Sequence, residues 1–117
     1  MDNEKKELFT YKTQYGEYPN CSFVGGRYMN GNLAIRMMSD EKGHIATCTV
    51  NMGVRVPWPL VCIKGWSENQ GMDEFLIQEG IVNGDVVDEI MGPHVTAKVY
   101  RLTEKGKEIF KDFADME

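Results

Sequence analysis

Leu33-Ala34-Ile35-Arg36-Met37-Met38 is followed by Ser39-Asp40-Glu41-Lys42-Gly43 and then by His44-Ile45-Ala46-Thr47-Cys48-Thr49-Val50. The first run places Leu33, Ile35 and Met37 on one face of a strand, because side chains alternate along extended backbone. The middle run is polar and closes on glycine, and the third is rich in β-branched residues. Two such runs joined by a short glycine-containing loop predict a β-hairpin. Asn30-Gly31-Asn32 marks a further turn just ahead of it.

Upstream, residues 1–20 are polar with scattered tyrosines and end in Pro19-Asn20. Phe9 and Tyr11 alternate as strand residues do, so this arm is either frayed or an edge element. Cys21-Ser22-Phe23-Val24 predicts a brief strand that Gly25-Gly26 stops. Downstream, Val54-Arg55-Val56-Pro57-Trp58-Pro59 carries two prolines, which cannot donate to a central ladder, so an exposed loop or edge segment is expected. Leu60-Val61-Cys62-Ile63-Lys64 then reads as an apolar strand buried on both faces. Ser67 or Asn69 is positioned to cap a helix carrying Met72, Phe75 and Leu76 on one face, with its end at Glu79-Gly80.

Asn83-Gly84-Asp85 predicts a turn, and Val86–Met91 fits a helix and a strand equally. After Gly92-Pro93, the segment His94–Arg101 alternates as a half-buried strand, with Val95, Ala97 and Val99 on one face. Thr103 caps a C-terminal helix bearing Ile109, Phe110 and Phe113, and Gly106 inside it costs about 1 kcal/mol against alanine. Sequential strands with short loops followed by helices predict an α+β fold. The expected architecture is an antiparallel or mixed sheet of about four to five strands, with one helix packed on it and an additional C-terminal helix. Residues 1–20 are read as a polar N-terminal arm and 21–117 as a single α+β domain.

The 117 residues suit one domain with one core, and 42% hydrophobic with 26% charged residues is ordinary for a globular chain. No apolar run approaches the roughly 18 residues of a membrane span. The charged start Met1–Glu7 lacks a following apolar signal core. Cys21, Cys48 and Cys62 are odd in number and widely spaced, which suits buried free thiols rather than a disulfide framework or a zinc site. A cytoplasmic location is the expectation. A net charge of -5 suits a protein partner better than the phosphates of nucleic acid, and direct nucleic-acid binding is not expected.

No catalytic set emerges from the residue pattern. The two histidines, His44 and His94, lie in strand-like runs, and nothing in the sequence sets either beside Cys48 or Cys62. No recognisable metal-ligand spacing and no phosphate-binding glycine loop occurs, so neither a metal nor another cofactor is expected. The anomaly is charge. Between Gly65 and Ala97 stand Glu68, Asp73, Glu74, Glu79, Asp85, Asp88 and Glu89, without a lysine or arginine. Such a block is either a solvated face that aids solubility or an acidic surface that docks on a basic groove. Trp58 and Tyr100 are candidate aromatic anchors beside it, whereas Trp66 is expected to pack in the core.

Tyr100-Arg101-Leu102-Thr103-Glu104-Lys105-Gly106-Lys107-Glu108-Ile109 resembles the strand-to-helix passage that ends the wing of winged-helix regulators, but mostly strands precede it here. A wider likeness spans residues 28–100. It rests on Asn30-Gly31-Asn32-Leu33-Ala34-Ile35, Ala46-Thr47-Cys48-Thr49-Val50-Asn51 and Ser67-Glu68-Asn69-Gln70-Gly71-Met72. These phrases resemble a domain-of-unknown-function family of small proteins carried on conjugative elements, plasmids and prophages of Gram-positive gut bacteria. The resemblance implies a non-enzymatic intracellular accessory protein of a mobile element, of a kind that counters host defence as anti-CRISPR or anti-restriction proteins do. It supplies no catalytic residues. The alternatives are a homo-oligomeric module of element maintenance, such as a homodimer pairing through a strand edge, and a DNA-binding regulator.

Overall fold

A computed structural model describes residues 8–13 and 15–114. Seven strands and two short α-helices follow in the order β1 (Phe9–Thr13), β2 (Gly16–Arg27), β3 (Leu33–Ser39), β4 (Gly43–Thr47), β5 (Leu60–Ile63), α1 (Met72–Gln78), β6 (Val82–Met91), β7 (Thr96–Leu102) and α2 (Glu104–Ile109). The α+β, antiparallel character holds. The single sheet of four to five strands does not: the strands form two sheets, β1-β2-β3-β4 and β5-β7-β6.

The predicted hairpin is β3–β4, pairing Met37 with Ala46 and Ser39 with Gly43. Ser39 Oγ accepts from the N–H groups of Glu41 and Lys42, satisfying the loop backbone. Cys48–Val50 does not continue that ladder, because the chain changes partners after Thr47, which still pairs with Arg36. Cys48 N–H still donates to Ile35 O, while Val50 N–H donates to Cys62 O and Lys64 N–H to Cys48 O. With the Thr49–Ile63 bridge, this segment ties the outer edge of β5 to the first sheet.

Three local expectations are corrected by packing. Gly25-Gly26 does not end a strand, since β2 runs through both to Arg27 and pairs with β3 along that length. A Cβ at Gly25 would lie 2.6 Å from the Phe113 ring and 3.0 Å from Phe110, so glycine here makes room for the C-terminal aromatics. Asn83-Gly84-Asp85 is no turn but part of β6, which pairs with β7 and absorbs the extra residues as register shifts between Val82 and Val86 and between Val86 and Asp88. Ser67 and Asn69 do not cap α1: Ser67–Asn69 is a 3₁₀ turn, and Gly71, at φ 91°, precedes the helix. Asn69 is instead buried and its side-chain amide donates to Thr47 O at 2.7 Å. In the former arm, Phe9–Thr13 and Gly16–Arg27 form an antiparallel hairpin, so a boundary at residue 20 would cut β2; residues 1–7 lie outside the described part.

The main core gathers Tyr11, Cys21, Ile35 and Met37 from the first sheet with Met72 and Leu76 of α1, Val61 and Ile63 of β5, Tyr100 and Leu102 of β7, and Phe110. Phe9 stacks on Phe23 at 4.4 Å between ring centres, and Tyr11 meets Phe75 edge-on at 4.9 Å, which fixes α1 against the first sheet. The opposite face of the second sheet is also covered. Cys62, Ala97, Val99 and Val56 form a small second core beneath Val50, Met52, Leu60, Trp66 and Ile90. The predicted two-faced burial of β5 therefore holds, and β7 also reaches both cores, with Ala97 and Val99 in one and Tyr100 and Leu102 in the other, while Thr96, Lys98 and Arg101 stay exposed.

At the C-terminus, Thr103 caps α2 as expected, accepting from Gly106 N–H at 3.0 Å while donating to Gly80 O. Phe110 is buried, but Ile109 is exposed because it falls on the outer side of the six-residue helix. Among the described residues, strands and one seven-residue α-helix precede this strand-to-helix passage, an arrangement unlike a three-helix winged domain.

Candidate functional site

The acidic block separates into three settings. Glu68, on the 3₁₀ turn, receives Lys64 Nζ at 2.6 Å, and that hydrogen bond holds its carboxyl below the usual range. Asp73, Glu74 and Glu79 belong to α1 and its C-cap. Asp85, Asp88 and Glu89 lie on β6. The sequence block is thus not one surface but a paired turn, a helix and an edge strand.

β6 is the most open element. It pairs only with β7, so its outer edge meets no described strand. Every residue from Asn83 to Glu89 is exposed, and the strand carries no lysine or arginine. Val86, Val87 and Met91 are exposed on it, Met91 to 78%. Asp88 Oδ1 accepts the N–H of Glu89 at 2.8 Å. An edge strand that is acidic, doubly register-shifted and studded with apolar side chains is protected against flat strand addition, yet it remains suited to side-chain docking.

Next to β6, an open cleft of about 570 Å³ separates α1 from the uncovered part of the second sheet. Asp73 and Glu74 line it from α1, Lys98 and Tyr100 from β7, and Gly65 and Trp66 from the chain after β5. Lys98 stands opposite Glu89 in the β6–β7 register, which connects the cleft to the acidic edge. Tyr100 is only 3% exposed, and its hydroxyl donates to Asp73 Oδ2 at 2.6 Å. Burial, then that bond to a carboxylate, pushes the Tyr100 hydroxyl well above the ordinary tyrosine range, so it remains a donor at physiological pH. The expectation of Tyr100 as a free surface anchor is corrected: its ring is core and its hydroxyl orients Asp73. Trp58 packs against the main core but stays half-exposed, and Trp66, expected inside, is half-buried against the second core and borders the cleft.

On the other side of α1 a groove of about 530 Å³ runs along β1, lined by Phe9, Lys12, Glu74, Phe75 and Glu79. A third hollow, about 520 Å³, includes His44, whose ring nitrogen meets Thr47 Oγ1 at 3.1 Å. His94 is exposed. All three cysteines are free and buried, and burial raises the Cys48 thiol to about 12 and Cys62 to about 11. These thiols are therefore protonated and enclosed at neutral pH. None of the three cavities brings a histidine and a cysteine together. Among the described residues, no group of three or more His, Cys, Asp or Glu side chains could hold a metal ion, and no helix is long and apolar enough to cross a membrane.

The Gly65–Asp73–Tyr100 arrangement was not legible in the sequence. Its members are separated by a loop, a helix and a strand, and the only signal was an acid in the first turn of a predicted helix. No protein-family model, no curated protein and no solved structure matches the chain.

Proposed function

We propose that this chain works by binding rather than turnover, docking on a basic protein surface through β6 and the cleft beside it. The observation that carries this reading is β6 itself: a sheet edge that is unpaired among the described residues and on which Asp85, Asp88 and Glu89 are interspersed with exposed Val86, Val87 and Met91. Carboxylates kept only for solubility need no apolar neighbours, whereas a docking surface needs both, charge to steer and apolar area to hold. The resemblance of residues 28–100 to mobile-element proteins supports a defence nuclease, of CRISPR or restriction type, as the first partner to try.

Homodimerisation through this edge is the weaker alternative. A two-fold antiparallel pairing of β6 centred on Val87 would set Asp85 opposite Glu89, and like charges directly across strands destabilise the pair.

Purified protein mixed with CRISPR and restriction complexes should give a co-eluting species on size exclusion and protect a plasmid target. Its affinity should weaken as salt rises, since steering between opposite charges is screened. A D85N/D88N/E89Q variant should weaken the complex, mainly by slowing association. No complex at low salt, together with no protection, removes the reading.

A further inference from the structure

We infer that the cleft between α1 and β7 is an arginine-capture pocket, into which the basic partner inserts one arginine side chain. This rests on the docking reading above and names the group that the surface recognises.

The argument begins with how Asp73 is held. Its Oδ2 takes the Tyr100 hydroxyl from a buried ring, so the carboxylate is oriented before any ligand arrives. On the other side stands Gly65, where an added Cβ would lie 1.8 Å from Oδ1. Any side chain at position 65 would thus displace the carboxylate, and glycine makes the room that Oδ1 occupies at the wall of the cleft. Oδ1 accepts no hydrogen bond among the described residues, and Glu74 adds a second, exposed carboxylate one residue on. Tethering α1 to the sheet requires only one oxygen of Asp73. The other packs against Gly65 at the wall of the cleft and is not a buried atom.

The remaining lining selects the ligand. Trp66 supplies a half-buried aromatic surface, on which a guanidinium stacks better than an ammonium. Gln70 adds a side-chain amide at the same wall. Guanidinium is planar, carries five donors and stays charged, so it can meet a carboxylate and an aromatic ring together. Lys98 lines the cleft without an ion pair among the described residues. Its charge disfavours a run of basic residues and leaves room for a single arginine flanked by neutral or acidic neighbours.

The test uses N-acetyl-L-arginine amide, with N-acetyl-L-lysine amide as control, titrated into the full chain and followed by the NMR signal of the Trp66 indole N–H. Saturable shifts are expected, with arginine binding several-fold tighter than lysine. D73N should weaken arginine about tenfold, the scale of one charge-assisted hydrogen bond. K98A, which leaves Asp73 and its tether intact, should tighten it about twofold by removing a like charge. Thermal denaturation of each variant establishes that it is folded; if D73N is not, K98A carries the decision. Equal binding of the two amides, no saturable shift, or indifference to both substitutions overturns the pocket. Failure of the docking reading looks different: if the arginine amide binds as described but no basic protein does, the pocket stands and docking falls. If the β6 triple variant weakens a protein complex while D73N leaves it intact, docking stands and the pocket falls.

Discussion

β5 and β6 lie on either side of the same strand, β7, and differ in almost every respect. β5 has four residues, Leu60-Val61-Cys62-Ile63, with one face in the main core and the other in the small second core. β6 has ten, of which seven consecutive ones are exposed, and it keeps pace with β7 only by two register shifts. The contrast comes from what covers each strand. β5 is closed on its outer edge by Thr49 and Val50 and on its second face by the 50–58 loop, while β6 is buried only at Val82 and partly at Ile90 and stays exposed from Asn83 to Glu89. Apolar content therefore reports how many faces are covered and not whether a segment is a strand. Burial and exposure have been divided between β7's two neighbours.

The sharpest way to break this comparison is to truncate one side chain on each. Ile63→Ala should cost about 2–5 kcal/mol in denaturant unfolding, since the side chain is 1% exposed in the main core. Val87→Ala, at a 43% exposed position, should cost less than about 0.5 kcal/mol. Similar costs at the two sites would mean that β6 is covered in solution.

Gly106→Ala tests the junction that fixes where β6 begins. Helix propensity alone favours alanine by about 1 kcal/mol. An added Cβ, however, would sit 2.3 Å from the carbonyl oxygen of Ile81, immediately before β6, and that oxygen already accepts from Thr103 N–H. Backbone must move, so a net loss of about 1–3 kcal/mol is expected. A rise in melting temperature would show that the start of β6 is looser than described.

Alkaline pH probes β5 through the difference between wild type and C62A, because Cys48, Cys21, Tyr11 and Tyr100 are raised as well and titrate in both proteins. The folded state raises Cys62 from 9.0 to about 11, by burial first and then by the nearby Asp73 charge. A raised thiol pKa means that the folded state holds its proton more tightly, so the contribution is complete below pH 9 and is lost as pH climbs toward 11. At pH 10 the loss from Cys62 is about 1 kcal/mol. Melting temperatures of wild type and C62A should converge between pH 8 and 10.5, and parallel curves would place this thiol in solvent.

These neighbours also mark how far the sequence could be read. The β3–β4 hairpin and β5 were legible because their residues alternate or run apolar, and the Thr103 cap because its chemistry is local. β6 was half-read: Val86–Met91 fitted two structures, and Asn83-Gly84-Asp85 has turn composition although a ladder to β7 and a bulge absorb it. Gly25 had turn chemistry too, and only the distant rings of Phe110 and Phe113 explain it. The division into two sheets was hidden for the same reason, since Cys48 to Val50 changes partners within what reads as one strand. At the site, all seven acids were visible as a block, but their separation into a paired turn, a tethered helix and an open edge depends on contacts across the whole chain. Tyr100 is the clearest case, because alternation put it on the outer face of a half-buried strand and α1, which covers it, lies far earlier in the sequence.

The smallest expected effect on stability is the most informative about function. In D85N/D88N/E89Q, the amide that replaces the Asp88 carboxylate keeps an oxygen for the backbone N–H of position 89, which Asp88 now serves. All three positions are exposed, so unfolding should shift by no more than about 0.5 kcal/mol. The same three changes remove three of the five charges by which the chain's acids outnumber its bases, all from one edge. Association with a basic partner should then slow and lose much of its salt dependence, while the pocket at Asp73 is left chemically intact. If neutralisation instead stabilises the fold by more than about 1 kcal/mol and leaves every association rate unchanged, the carboxylates act only on solubility and mutual repulsion. β6 would then differ from β5 in exposure but not in purpose.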